Sequence, residues 1–218
     1  MRFGLALVLL ITLGAALPQL ASLEEIRSAM AKAEYRPALD KINKLVFSST
    51  KEMYPAERFE LLMMKGECQL QLKDRMGAAT SFKAAAKIAE NLDQFAAAQA
   101  NALIVEKSAM GVFSPPYGSN EKPIDILSID SRKKAMAILQ RQIWSKSQPE
   151  IDAALRANTL PPIETAFSRM VDAYLLEVAA TGDAKDTGKA MRELGSHAFG
   201  MMQAELKRLA WRVEQFNL

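Results

Sequence analysis

The chain has 218 residues, half of them hydrophobic, and 28 lysines and arginines against 25 acids leave a formal charge of +3. So even a balance argues against nucleic acid as the main partner, because neutralising a phosphate backbone needs a clear basic excess on one face. A single cysteine, Cys68, and a single histidine, His197, exclude an intramolecular disulfide and the set of about three or four soft ligands that a zinc site needs. Glycine and proline are scarce, and the chain is rich in alanine, leucine, methionine, lysine and glutamate, the strong helix formers.

The first residues read as an address. Met1 and Arg2 precede an uncharged apolar run, FGLALVLLITLGAAL, from Phe3 to Leu17. One positive residue, a short apolar stretch and small residues behind it form a secretory signal. The run is shorter than the ~20 residues of a comfortable membrane span. Residues 1–21 are therefore expected to be a signal peptide, cut after Ala16 or after Ala21, and the protein to be exported, periplasmic or secreted. The alternative is an uncleaved N-terminal anchor.

Ser22-Leu-Glu-Glu25 has the form of a capping box and marks the start of the folded part. Leu23, Ile26, Met30 and Ala33 then recur by threes and fours, predicting a helix to Glu34. Pro37 is suited to open a second helix with Ala38, Leu39, Ile42, Leu45 and Val46 on its apolar face, followed by the linker FSSTKEMYP. Pro55 to Leu72 predicts a third helix, Asp74 caps a fourth, and Asp93 is the expected cap of a fifth that ends at Met110. Three prolines and a glycine between Ser114 and Pro123 break the pattern, and the alternating Ile124–Ile129 segment fits either a strand or extended chain packed on the core. Helix is expected again from Asp130 to Ser147. A second capping box, Ser147-Gln-Pro-Glu150, predicts a new short helix to about Asn158. Pro161-Pro162 opens another helix, stopped by Thr181-Gly182-Asp183. The last one carries Met191, Leu194, Ala198, Met202, Leu206, Leu209, Val213 and Phe216 as an apolar seam.

Within this series the segment Phe59–Leu92 stands out. Gly66 in its first helix, and Ala78, Phe82 and Ala85 in its second, are small or aromatic at the positions where two helices cross closely. In length and at these positions it resembles a 34-residue tetratricopeptide repeat. Leu62 stands where that family usually has tryptophan, and Lys65, Gln69 and Glu90 depart from its leucine, tyrosine and proline. Ala38, Ile42 and Leu45 occupy the matching second-helix places of the preceding hairpin, behind a longer linker. The resemblance covers residues ~22–110 and implies an all-α fold, with antiparallel helical hairpins stacked as a short solenoid followed by longer C-terminal helices. The organisation expected is a signal at 1–21, a repeat region at 22–112, a proline-containing loop at 113–129 and a helical region at 130–218 packed on the repeats.

The resemblance also implies a binding face along the first helices: Glu60, Met63, Glu67, Leu70 and Gln71, with Gln94, Asn101 and Val105 on the next. Acids, amides and an adaptable methionine suit an extended peptide or a partner helix. As single residues, Leu70 and Val105 read equally as core, and the acids as a solvated face. The sequence holds no glycine-rich phosphate loop, no nucleophile elbow and no paired Cys–His motif. Cys68 reads as a small buried hydrophobe and His197 as a residue without an orienting group. The expectation is a non-catalytic exported scaffold or adaptor with a protein or peptide partner, no cofactor and no metal. Self-association through residues 191–216 is open. The alternatives are a membrane-linked envelope assembly factor and a small-molecule carrier or enzyme with a pocket near residues 114–123.

Overall fold

The computed structural model describes residues 22–48, 55–115, 117, 119–120, 122–157 and 160–216. The signal reading falls on residues 1–21, outside that set. Every regular element among the described residues is an α-helix: α1 (residues 22–31), α2 (Tyr35–Ser48), α3 (Pro55–Gln71), α4 (Arg75–Lys87), α5 (Leu92–Ala109), α6 (Ile129–Ala157), α7 (Leu160–Thr181) and α8 (Lys185–Phe216). The all-α class is as the sequence implies. The helices divide into two compact units, α1–α4 up to Glu90 and α5–α8 from Asn91.

The first unit is a pair of helical hairpins. Leu23, Ile26 and Ala29 of α1, Ala38 and Ile42 of α2, and Leu61, Met64 and Cys68 of α3 form one buried cluster. These are the inward positions of three amphipathic helices, spaced by three and four. Glu25 accepts from Lys41 Nζ at 2.8 Å and ties α1 to α2. Between α3 and α4 the packing depends on Gly66. A Cβ built there would lie 2.6–2.9 Å from the Phe82 ring, closer than carbon atoms tolerate, so only glycine lets the two helices meet over that ring. Ala78, Phe82 and Ala85 are all buried beside it.

The two hairpins turn in the same way, 40 residues apart. In α1, Glu34 N–H donates to Ala29 O and Ala33 N–H to Met30 O; in α3, Asp74 N–H donates to Gln69 O and Lys73 N–H to Leu70 O. Each pair is a Schellman cap, and the residue at its left-handed position is Ala33 (φ 59°) or Lys73 (φ 65°). After the turn, Asp74 Oδ1 accepts from Gly77 N at 2.9 Å and caps α4, as expected. A third cap of the same form ends α5, where Gly111 (φ 75°) holds the left-handed position and Val112 N–H reaches Lys107 O. The chain then enters the proline-containing segment in place of a second helix.

In the second unit α7 is the central helix. Ala96 of α5 packs on its Leu175 and Val178. Trp144 of α6, and Leu194 with its neighbours on α8, pack on its Ile163, Ala166 and Met170. Ala173 and Leu176 are fully buried too, so α7 is covered on more than the single side its sequence pattern marks.

Three local readings change, and one left open is decided. Asn91, not Asp93, caps α5: its Oδ1 accepts from Gln94 N–H at 2.9 Å, which leaves Asp93 in the first turn, where an acid suits the helix dipole. No strand forms at 124–129; Ile126 is buried, and Ile124 N–H closes the loop onto Phe113 O. The second capping box does not start a helix, because α6 runs unbroken through Pro149, and Glu150 pairs with Arg169 of α7 instead. On α8, Met191, Leu194 and Ala198 face the core but Met202 is half-exposed and Met201 takes its place. The rest of that expected seam, from Leu206 on, lies outside the described side chains.

Candidate functional site

The four expected binding residues of α3, Glu60, Met63, Glu67 and Gln71, recur by threes and fours, and all four are half-buried. Leu61, Met64 and Cys68 occupy the adjacent, buried side. Leu70 is core, with 1% of its surface exposed, and so is Val105 on α5. The stripe is not chemically uniform. Glu60 accepts two hydrogen bonds from Arg27, from Nε at 2.9 Å and Nη2 at 2.6 Å, and Arg27 also donates to Glu24 at 3.0 Å. These two carboxylates raise the Arg27 pKa above its ordinary value, Glu60 more than Glu24. Glu60 thus ties α3 to α1. Further along, Gln71 Nε2 donates to Glu67 at 3.0 Å, an i,i+4 pair that fixes the acid and the amide side by side. Met63 lies between these polar pairs in the sequence.

Gln94 and Asn101 belong to the second unit. Gln94 uses its backbone N–H at the start of α5, and the Asn101 amide donates to the Ala97 carbonyl one turn back at 2.8 Å. Both are half-buried.

Cys68 is inaccessible, and burial, helped by the Glu67 charge, pushes its thiol up to about 11. An anionic sulfur nucleophile is disfavoured at such a position. His197 is exposed on α8, and the neighbouring Ser196 hydroxyl donates to the Arg192 carbonyl rather than to the imidazole. Among the described residues no three His, Cys, Asp or Glu side chains gather into a group that could hold a metal ion, and no helix is long and apolar enough to cross a membrane.

Two features of the second unit were not legible as a site. Arg132 is buried and donates to the carbonyls of Ile126 and Leu127, at 2.9 and 3.3 Å, which fastens the end of the proline-containing segment. Tyr117 of the same segment is fully exposed, so the aromatic ring caps no cavity. A cavity of about 330 Å³ instead opens between α5, α6 and α7, and Val112, just before the loop, is its nearest residue to that segment. Lys107, Lys146, Arg169 and Asp172 bring charge to its wall. Partial burial raises the Asp172 pKa above the usual aspartate value, against an opposing pull from Lys107. These residues are far apart in sequence and fall on three helices, so only the packing of α7 unites them.

No protein-family model, curated protein or solved structure matches the chain.

Proposed function

We propose that the protein is an exported, non-catalytic scaffold or adaptor that binds a protein or peptide segment along α3. One observation carries this reading: the half-open stripe Met63, Glu67, Gln71 beside a closed apolar face on the same helix. A helix with one side sealed and a mixed acidic, amide and thioether side left half-open suits an extended or helical segment that offers basic and apolar side chains. Methionine adapts to varied shapes at such a surface. The likeness of Phe59–Leu92 to a tetratricopeptide repeat, and the matching turn one hairpin earlier, support the same mode of action. Export rests on the Phe3–Leu17 run and the small residues behind it.

Glu60 is left out of the test because it holds Arg27, so its reversal would disturb the α1–α3 contact. Affinity capture from the exporting cell is compared between the parent protein and a Glu67→Lys/Gln71→Lys variant. A partner retained by the parent and lost by the variant, with helicity unchanged, is the expected result. Capture of the same proteins in the same amounts by both would remove α3 as the binding face.

A further inference from the structure

The cavity of about 330 Å³ in the second unit is independent of the α3 stripe and has a different chemistry. Its size lies at the lower end of the ~300–1,000 Å³ typical of small-molecule sites. The wall has two parts. Leu103, Val112, Leu139 and Ile143 supply aliphatic surface from α5, the following turn and α6. Lys107, Lys146 and Arg169 supply three cations from three different helices, against one lining carboxylate, Asp172.

The cations are not equivalent. Arg169 is engaged by Glu150 through Nη1, which fixes its position while leaving other guanidinium donors. Lys107 acts on Asp172 electrostatically. The Lys146 side chain has no hydrogen bond or ion pair among the described residues, although it lines the cavity. Counting Glu150 as well, the groups around the opening carry three positive and two negative charges, and the carboxylate most exposed to desolvation is the one already opposed by a lysine. A short aliphatic surface beside a lysine that has no anionic partner among the described residues recognises a molecule that is apolar at one end and anionic at the other. Burying the apolar end supplies the driving force, and a charge-assisted hydrogen bond fixes the orientation.

We propose that this cavity binds a small amphipathic monocarboxylate, with its aliphatic chain against Leu103, Leu139 and Ile143 and its carboxylate at Lys146 and Lys107. Decanoate is a suitable probe, with about a dozen non-hydrogen atoms for a site of this class. Two control molecules separate the parts of the argument: decanol has the chain without the charge, and inorganic phosphate has charge without the chain. Titration calorimetry on the full chain should show saturable, one-to-one decanoate binding, with decanol and phosphate each at least about tenfold weaker, a factor that corresponds to one charge-assisted contact. Lys146→Gln should weaken decanoate about tenfold. Ile143→Trp should abolish binding by filling the space, without touching a charge. Circular dichroism establishes that each variant is folded. Absence of saturable binding to the parent protein, decanol binding as tightly as decanoate, or unchanged binding in both folded variants would each overturn the proposal. The parent comparison of decanoate with decanol stands even if a variant does not fold.

Discussion

The two units bury their central helix by opposite means. In the first, α3 meets α4 by giving up a side chain: Gly66 leaves the space that the Phe82 ring enters. In the second, α7 keeps its side chains and is enclosed by α5, α6 and α8, with Ile163, Met170, Ala173 and Leu176 fully buried. α3 is buried on one side against α1 and α2 and on another against α4, and between the two it retains a half-open stripe at Met63, Glu67 and Gln71. α7 is closed on its other sides but leaves an exposed polar stripe at Glu164, Thr165, Ser168, Arg169 and Asp172, and the last two of these line the cavity between the helices. The comparison teaches where each half could bind: the first on a helix face, the second in an open gap between helices.

The most severe way to break this contrast is to empty the α3–α4 contact. Phe82→Ala should destabilise the protein by about 3–5 kcal/mol, since a fully buried ring is lost and Gly66 cannot fill the space. Hydrogen exchange should show the loss concentrated in α3 and α4 and not in α7. Gly66→Ala probes the same contact from the other side and should cost about 1–3 kcal/mol through overpacking.

In the second unit the joint between α7 and α8 rests on a buried polar contact. Thr187 is fully buried, its hydroxyl donates to the Glu177 carboxylate, and its backbone N–H donates to the same oxygen at 3.3 Å. Thr187→Val keeps the shape and removes the hydroxyl, so chemical denaturation should report a loss of about 1–3 kcal/mol. An unchanged midpoint would mean that α8 is held by its apolar contacts alone.

The buried thiol gives a pH test specific to the first unit. Its folded-state pKa is raised from 9.0 to about 11, so the folded protein retains a proton that the unfolded chain has released. The stability that this contributes is complete below pH 9 and is lost as pH rises from 9 towards 11. The difference in stability between the parent and a Cys68→Ala variant should therefore shrink over that interval. A constant difference would mean that the thiol ionises as freely in the folded protein as in the unfolded chain.

The smallest effect concerns the turns. Ala33 and Lys73 hold left-handed backbone positions that glycine holds after α5, at Gly111. Lys73→Gly and Ala33→Gly should each raise the free energy of unfolding, by up to about 1 kcal/mol in chemical denaturation, because glycine relieves the steric cost of that conformation. A fall in stability at either position would show that the entropy glycine adds to the unfolded chain outweighs that relief.

Much of the first unit was legible in the sequence because its signals are local or nearly so. Gly66, Ala78, Phe82 and Ala85 mark the close crossing, Asp74 marks a cap, and Ala38 and Ile42 mark the earlier hairpin. The shared turn was not legible, since neither Ala33 nor Lys73 is a residue type that announces a left-handed position. In the second unit the local signals misled. Ser147-Gln-Pro-Glu150 has the form of a helix start, yet a proline within a helix removes only its own N–H donor and crowds the preceding turn, and contact with α7 holds α6 continuous across it. The cavity had no sequence signature, because its charged residues are brought together by three helices whose register no single segment encodes.

The direct test of the account is a photo-crosslinking residue at Met63, on the half-open stripe of α3, compared with one at Met76, which is 85% exposed on α4. If α3 is the binding face, irradiation in the cell that makes the protein should give a discrete cross-linked partner from position 63, absent from position 76 despite its greater exposure. Cross-links from position 76 alone, or the same products from both, would contradict the assignment of binding to α3.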